Sequence, residues 1–95
     1  MSISRTQLIA RVVEETELPR AVVERVFNQL LKIITDELTQ GQEVRIYGFG
    51  TFLVRTRGAR PGRNIHTGEA LELPRMRVPG FRSSKTLRDA VANGG

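Results

Sequence analysis

Cysteine is missing from this chain, and histidine occurs only once, at His66. Without cysteine the chain can form neither a disulfide nor a thiolate metal site. A single histidine cannot complete a nucleophilic set or a transition-metal site. The glycine-rich residues 48–51 are not followed by the lysine and hydroxyl pair of a phosphate loop. These absences predict a protein that is not an enzyme and that uses no metal, cofactor or small-molecule substrate.

Long apolar runs are missing as well. No stretch of about twenty apolar residues is available to span a bilayer, and residues 1–5 lack the apolar block of a signal peptide. We therefore expect no membrane contact and a cytoplasmic, reducing setting.

Negative charge is scarce in the second half of the chain. Residues 1–54 hold six basic and seven acidic side chains, a balance of −1, whereas residues 55–95 hold nine basic and three acidic ones, a balance of +6. Such an asymmetry indicates a surface that meets a polyanion. We expect residues 1–95 to form one domain, too small for a large core, with oligomerisation as its stabiliser.

Two helices are predicted in the first half. Ser4 and Gln7 have the spacing of a capping box, which predicts the start of the first helix. Pro19 suits the first turn of a second helix, and Gly41 suits its end. Between them, apolar residues recur at three- and four-residue steps over positions 22–38. This apolar face, which includes Phe27, is too wide for one short partner helix and indicates a second subunit.

Strands with period-two alternation follow the helices. Residues 44–47 and 52–57 predict two of them, and residues 75–78 predict a third. Arg55 and Arg57 alternate along one of these strands, and Arg75 and Arg77 along another. If these two strands are neighbours, we expect the four arginines to line one surface of a sheet, either as a binding surface or as a solvated outer face. Ser83 or Ser84 then caps a last helix that buries Leu87 and Val91, before a frayed tail at residues 93–95.

The segment from Arg57 to Gly68 is the most informative of the chain. It contains three arginines and three glycines but only one large aliphatic side chain, Ile65. Arginine fits phosphate and the narrow minor groove, and glycine permits a tight reversal. An exposed aliphatic side chain at such a reversal can slide between base steps. We interpret about residues 57–75 as an arm for DNA; the alternative is a disordered loop whose charges are only solvated.

Three blocks of this sequence resemble the bacterial HU/IHF family of DNA-bending proteins. The first is Gly48-Phe-Gly-Thr-Phe52. The second is Arg57-x-x-Arg60-x-Gly62-Arg63-Asn64-x-x-Thr67-Gly68, and the third is Val78-Pro79-x-Phe81-x-x-x-Lys85-x-Leu87-Arg88. They occur in the order and at the separations of that family and extend the resemblance through nearly the whole chain.

The resemblance implies an α+β fold and an intertwined dimer. Such a dimer has a helical base, a saddle of antiparallel three-stranded sheets and one protruding β-ribbon arm per subunit. It further implies that Phe49 and Phe52 pack at the dimer interface. The residues expected to contact DNA, by this resemblance and by the basic pattern together, are Arg5, Arg55, Arg57, Arg60, Arg63, Asn64, Ile65, Arg75, Arg77, Arg82 and Lys85.

Ile65 is also a departure from the family motif, which has an intercalating proline at this position. Isoleucine is among the wedge residues of minor-groove benders, a class to which HU and IHF themselves belong. It therefore keeps an apolar wedge, although it regains an N–H group and a free φ. A second departure places Glu69 and Glu72 on the returning arm strand, where they should weaken affinity for the DNA backbone.

These observations predict a homodimeric, nucleoid-associated protein that bends or compacts duplex DNA through the minor groove with little base specificity. One alternative is a sequence-preferring, IHF-like subunit that needs a different partner chain. Another is a module whose basic arm grips RNA or acidic proteins.

Overall fold

The computed structural model describes residues 1–58 and 60–94, with the backbone alone at residues 60, 61, 72 and 73. In chain order the elements are helices α1 (Arg5–Thr16) and α2 (Arg20–Thr39), strands β1 (Val44–Ile46), β2 (Gly50–Arg57), β3 (Arg60–Arg63), β4 (Ala70–Leu73) and β5 (Met76–Ser83), and helix α3 (Lys85–Asn93). Residues Met1–Asp36 form one compact unit and the remainder forms a second. The boundary falls inside α2 and not in a linker.

The helix ends are set by local chemistry. The Ser4 side chain accepts from the Gln7 N–H at 3.2 Å, and the Gln7 side chain accepts from the Ser4 N–H at 2.8 Å, which confirms the capping box. The Pro19 carbonyl accepts from the first turn of α2. At the other end Gly41 has φ +80°, which glycine adopts without strain, and donates to the Leu38 carbonyl.

Strands β1, β2 and β5 form an antiparallel sheet in which β2 is central. Gly48, at φ +78°, turns the chain from β1 into β2. Strands β3 and β4 form a separate antiparallel pair between β2 and β5 in the sequence. The predicted arm is therefore a two-stranded ribbon that leaves the three-stranded sheet after Arg57 and returns at Met76.

Helix α3 begins at the second of the two candidate caps. The Ser84 hydroxyl accepts from the Leu87 N–H at 3.0 Å. Val91, which was expected to be buried, is 72% exposed in the single chain. Asn93 is the last residue of α3 and Gly94 caps it, while Gly95 lies outside the described residues.

Apolar burial is sparse in a single chain. Among the described side chains, Ile9, Val23 and Leu53 are the buried apolar ones. A stripe along α2 is left 45–63% exposed, at Val22, Val26, Leu30 and Ile33. So much exposed aliphatic surface on one helix is typical of an interface. No helix among residues 1–58 and 60–94 is long and apolar enough to cross a membrane.

Candidate nucleic-acid interface

The turn of the ribbon lies between β3 and β4 and is closed by backbone hydrogen bonds. Strand β3 pairs with β4 in the register Arg60↔Leu73 to Arg63↔Ala70, which leaves residues 64–69 as the connection. The Asn64 N–H donates to the Glu69 carbonyl at 2.8 Å, and the Gly68 N–H donates to the Asn64 carbonyl at 2.7 Å. Gly68 has φ +75°, which permits this tight return.

The Asn64 side chain organises the inside of the turn. Its Oδ1 accepts from the backbone N–H of His66 at 2.9 Å and of Thr67 at 3.3 Å. These bonds satisfy the backbone locally, as an Asx turn does. Ile65, which lies between Asn64 and His66, is not buried by this turn and is 91% exposed. At this exposure Ile65 does not pack against the opposite strand of the arm.

Antiparallel register decides which strand arginines share a face, because directly paired residues point to the same side. Arg55 pairs with Val78, and Arg77 pairs with Thr56, one residue out of phase. The expectation that Arg55, Arg57, Arg75 and Arg77 line one surface was therefore wrong. The alternation of side chains along each strand was predicted correctly. Which residues of two neighbouring strands share a face depends on the register of their pairing, and this register is not visible in either strand alone.

One side of the sheet, which we call the arginine face, carries Arg45, Arg55, Arg57 and Arg82 together with Thr51, Leu53 and Gly80. A Cβ built on Gly80 would lie 3.2 Å from Arg55 Nε and 3.4 Å from Leu53 Cδ1, which places these three residues on one side. The arginines at 45, 55, 57 and 82 are all exposed. This face leads along β2 directly to the root of the arm.

Arg77 lies on the other side of the sheet. One of its terminal nitrogens, Nη2, donates to the Leu38 and Thr39 carbonyls, at 3.2 Å in each case. These are orphan carbonyls at the C-terminal end of α2, where a cation also complements the helix dipole. The geometry thus gives Arg77 a role within the fold that the sequence pattern did not suggest.

The other residues predicted to contact DNA differ in whether their side chains are already engaged by partners within the chain. Within the described residues, no hydrogen bond or ion pair engages the guanidinium groups of Arg55, Arg57, Arg63, Arg75 and Arg82. Lys85 pairs with Asp89 at 2.7 Å, with both side chains exposed, so the pair is weak and exchangeable. The Arg60 and Glu72 side chains lie outside the described part of the structure.

Arg5 belongs to the first compact unit. Its guanidinium donates to Asn28 Oδ1 and lies 5.5 Å from the centre of the Phe27 ring, a cation–π arrangement. Phe27 is half-buried in the single chain. Arg5 itself remains exposed and keeps donors for a further partner.

Three phenylalanines cluster on the side of the sheet opposite the arginine face and at the β1–β2 turn. The Phe81 ring centre lies 4.9 Å from that of Phe52 and 5.4 Å from that of Phe49, both tilted. Phe49 is 44% and Phe81 39% exposed in the single chain. A second copy of the chain can bury the exposed parts of these rings at a dimer interface.

Arg45 lies on the arginine face, although it was not among the residues expected to contact DNA. It stands opposite Thr51, which in turn stands opposite Arg82, so one row across the sheet carries both arginines. The signal was present in the alternation of Arg45 with Val44 and Ile46, but its value depended on β1 being next to β2. No group of three or more histidine, aspartate or glutamate side chains in the described residues could hold a metal ion.

A family model described as bacterial DNA-binding protein matches residues 3–92. Over 89 residues the chain is 42% identical to the DNA-binding protein HU 1 of Bacillus subtilis, covering 94% of this chain and 97% of the relative. It is 36% identical over 88 residues to the DNA-binding protein HU-beta of Pseudomonas aeruginosa, covering 93% and 98%.

Solved structures give the same result. The chain is similar to HU in an Anabaena HU–DNA cocrystal structure, with a TM-score of 0.90, 34% identity and coverage of 96% of this chain and 99% of that one. HU from Thermotoga maritima, at 24% identity and a TM-score of 0.67, covers 94% and 98% and shares the fold. The predicted α+β fold, with helices, a three-stranded sheet and a β-ribbon arm, is confirmed.

Proposed function

This chain belongs to the bacterial DNA-binding protein family, that of HU, and from this premise we propose that it is an architectural protein which binds duplex DNA as a dimer and bends or compacts it. By this proposal the arms follow the minor groove. The arginine face and the arms supply the charge that holds the phosphate backbone.

The observation that carries the proposal is the tip of the ribbon. A side chain as apolar as Ile65 gains nothing from 91% exposure in the free protein. Hydrogen bonds through Asn64 close the turn that carries Ile65. The backbone at Ile65 is therefore held in place while its side chain stays exposed. Inserted at a base step, it would leave water and stabilise a kink, against an unstacking cost of a few kcal/mol per step.

The charges of the second half support binding to the backbone. Arg55, Arg57 and Arg63 have no partner among the described residues, so their guanidinium groups can meet phosphate without breaking an internal contact. The arginines of the arginine face and of the arm lie on strands, and not on a helix that could enter the major groove and read base edges. Specificity should then come from the shape and deformability of DNA.

We also propose where the protein acts in the cell and that it is a binding protein and not an enzyme. A small basic protein that bends or compacts DNA and has no membrane-spanning helix among its described residues fits a nucleoid-associated role in the bacterial cytoplasm. Nothing in the arginine face or the arm tip forms a set of groups for catalysis, which supports a binding function and not an enzymatic one.

Binding to intact, nicked and gapped duplexes of one sequence tests the proposal. Base stacking is already interrupted at a nick or gap, so less energy is needed to kink the duplex there. We therefore expect tighter binding to nicked and gapped DNA than to intact duplex. If about 6–10 phosphates are neutralised per dimer, affinity should fall roughly 10³–10⁵-fold between 50 and 200 mM salt.

Two controls separate the alternatives. Competition with random and AT-rich duplex tests for a sequence-preferring subunit, and competition with single-stranded RNA tests for an RNA module. Equal affinity for all duplexes at every salt concentration, or a preference for single-stranded RNA, would contradict the proposal.

A further inference from the structure

The turn at residues 64–69 satisfies all but one of its backbone N–H groups. The N–H groups that donate to an acceptor within the turn are those of Asn64, His66, Thr67, Gly68 and Glu69. The Ile65 N–H is the exception, because it has no acceptor anywhere in the part of the chain that the structure describes. A backbone donor is therefore left free at the tip of the arm.

This free donor belongs to the residue that carries the wedge. The amide nitrogen of Ile65 is two bonds from its Cβ, and the side chain that begins there is 91% exposed. In the free protein, water can accept from the N–H. Once the tip enters a groove and water is displaced, an N–H without an acceptor destabilises the complex, whereas one that finds an acceptor stabilises it.

The direction of the Ile65 N–H is fixed by the turn. The N–H groups of the residues on either side, Asn64 and His66, are both engaged, at 2.8 Å to the Glu69 carbonyl and at 2.9 Å to Asn64 Oδ1. The long side chain of Arg63 can rotate from a base edge to a phosphate, but a backbone group held on both sides cannot. The Ile65 N–H must therefore accept whatever group the DNA presents to it.

The floor of the minor groove presents different groups at different base pairs. An A·T or T·A pair offers only acceptors there, adenine N3 and thymine O2, whereas a G·C pair adds the N2 amino group of guanine, which is a donor. When the Ile65 side chain inserts at a base step from the minor groove, its N–H comes to the edges of the same step. It finds an acceptor at an A·T pair, but at a G·C pair it meets a second donor.

We propose that the Ile65 N–H is a specificity-determining group, which donates to the minor-groove floor at the step where the side chain inserts and disfavours base pairs that carry a guanine amino group. The inference rests on the proposed function and deepens it, because it names a group that selects among base steps. The selection separates A·T from G·C and leaves A·T and T·A alike. Proline, the usual residue of the family motif at this position, has no N–H and cannot make this contact.

Two duplexes that differ only in the guanine amino group provide the test. One is built throughout from guanine·cytosine pairs and the other from inosine·cytosine pairs, because inosine is guanine without that amino group. Every step of each duplex is then equivalent, wherever the tip inserts. The wild type should prefer the inosine duplex by about fivefold for each inserted arm, or roughly 25-fold for a dimer with both arms inserted, if each hydrogen bond contributes about 1 kcal/mol.

An inosine·cytosine pair also has one hydrogen bond fewer and opens more easily, so the ratio of the two affinities is compared between variants. Ile65→Pro keeps an apolar side chain but lacks the N–H. It breaks no bond of the turn, and φ at this position is not positive. Its ratio should be smaller than that of the wild type by about fivefold per arm. Ile65→Val is the matched control, because it keeps both the N–H and a β-branched side chain, and it should keep the wild-type ratio.

The amide proton of Ile65 gives a second measurement that needs no substitution. In ¹⁵N-labelled wild type its resonance should move downfield on binding the inosine duplex and not on binding the guanine duplex, and this difference decides if Ile65→Pro does not fold. Equal ratios in the wild type and Ile65→Pro, a ratio lost in Ile65→Val as well, or an amide proton that responds alike to both duplexes would each overturn the inference and leave DNA binding intact. If the wild type binds neither duplex, it is the proposed function that fails.

Discussion

Ile65 and Arg77 both depart from what their residue types suggest, and they do so in opposite directions. Ile65 is apolar and yet 91% exposed, because the turn around Asn64 satisfies its own backbone and leaves that side chain outside. Arg77 is charged and belongs to a basic strand, yet its guanidinium donates to two helix carbonyls. At this scale, exposure and hydrogen-bond partners separate a residue that is free to meet DNA from one that is engaged within the fold better than residue type does.

Ile65→Ala should bend DNA less than the wild type, because alanine offers too little surface to wedge between base pairs. Ile65→Pro should keep or enlarge the bend, since proline is the usual residue of the family motif at this position. Bend angles measured by end-to-end energy transfer on one intact duplex give the comparison. The wedge is wrong if Ile65→Ala is folded and bends DNA as strongly as the wild type does.

Arg77→Gln should lower stability more than it alters the salt dependence of DNA binding. Two exposed hydrogen bonds to the end of α2 are lost, at a cost of about 1 kcal/mol in the free energy of unfolding. Arg55→Gln is the control, because it removes the same charge from the arginine face and should flatten the salt slope by about one unit per lost contact. Equal slope changes in the two variants would show that Arg77 contacts DNA.

At the scale of elements, the central strand β2 determines where the basic groups lie. Its pairing with β1 and β5 collects arginines from three segments on one face and directs Arg77 to the other. It also requires a very close approach at its first residue. A Cβ built on Gly50 would lie 2.5 Å from Phe81 Cζ and 2.6 Å from the Arg82 carbonyl oxygen, one of which is backbone and cannot rotate away.

Gly50→Ala should therefore destabilise the protein by about 1–3 kcal/mol or more, as overpacking of a tight contact does. Gly58→Ala is the control, because a Cβ there meets nothing within 4 Å. Denaturant unfolding at one protein concentration measures both variants. A Gly50→Ala midpoint equal to that of Gly58→Ala would contradict the close approach of β2 to β5.

At the scale of the whole molecule, the single chain leaves too much apolar surface open. Val26 on α2 is 63% exposed, and the phenylalanine cluster around Phe81 is only half covered. With so few buried side chains and no disulfide, folding and dimerisation should be linked.

The melting temperature should consequently rise with protein concentration, because association stabilises the folded state by mass action. Phe49→Ala, which removes a ring from the proposed dimer interface, should cost roughly 3–5 kcal/mol, the range for emptying a buried aromatic site. Thermal melts over a wide range of concentration, together with native mass, provide the measurement. A folded monomer whose melting temperature ignores dilution would rule out the obligate dimer.

Local chemistry is what the sequence by itself determined about this protein. The capping box of Ser4, the end of α2 before Gly41 and the reversal around Asn64 and Gly68 depend on residues a few positions apart, so their patterns are readable directly. The apolar stripe of α2 and the apolar-poor arm likewise predicted a dimer and a DNA contact, because the spacing of apolar residues and the excess of charge are visible within one segment of the sequence.

The faces of the sheet were decided only by the tertiary structure. Alternation shows which residues of one strand point the same way, but the phase between β2 and β5 comes from pairing between residues such as Arg55 and Val78, 23 positions apart. A shift of one residue moves every side chain to the other face. For this reason the structure, and not the pattern, separated Arg77 from Arg55 and placed Arg45 on the same face as Arg82.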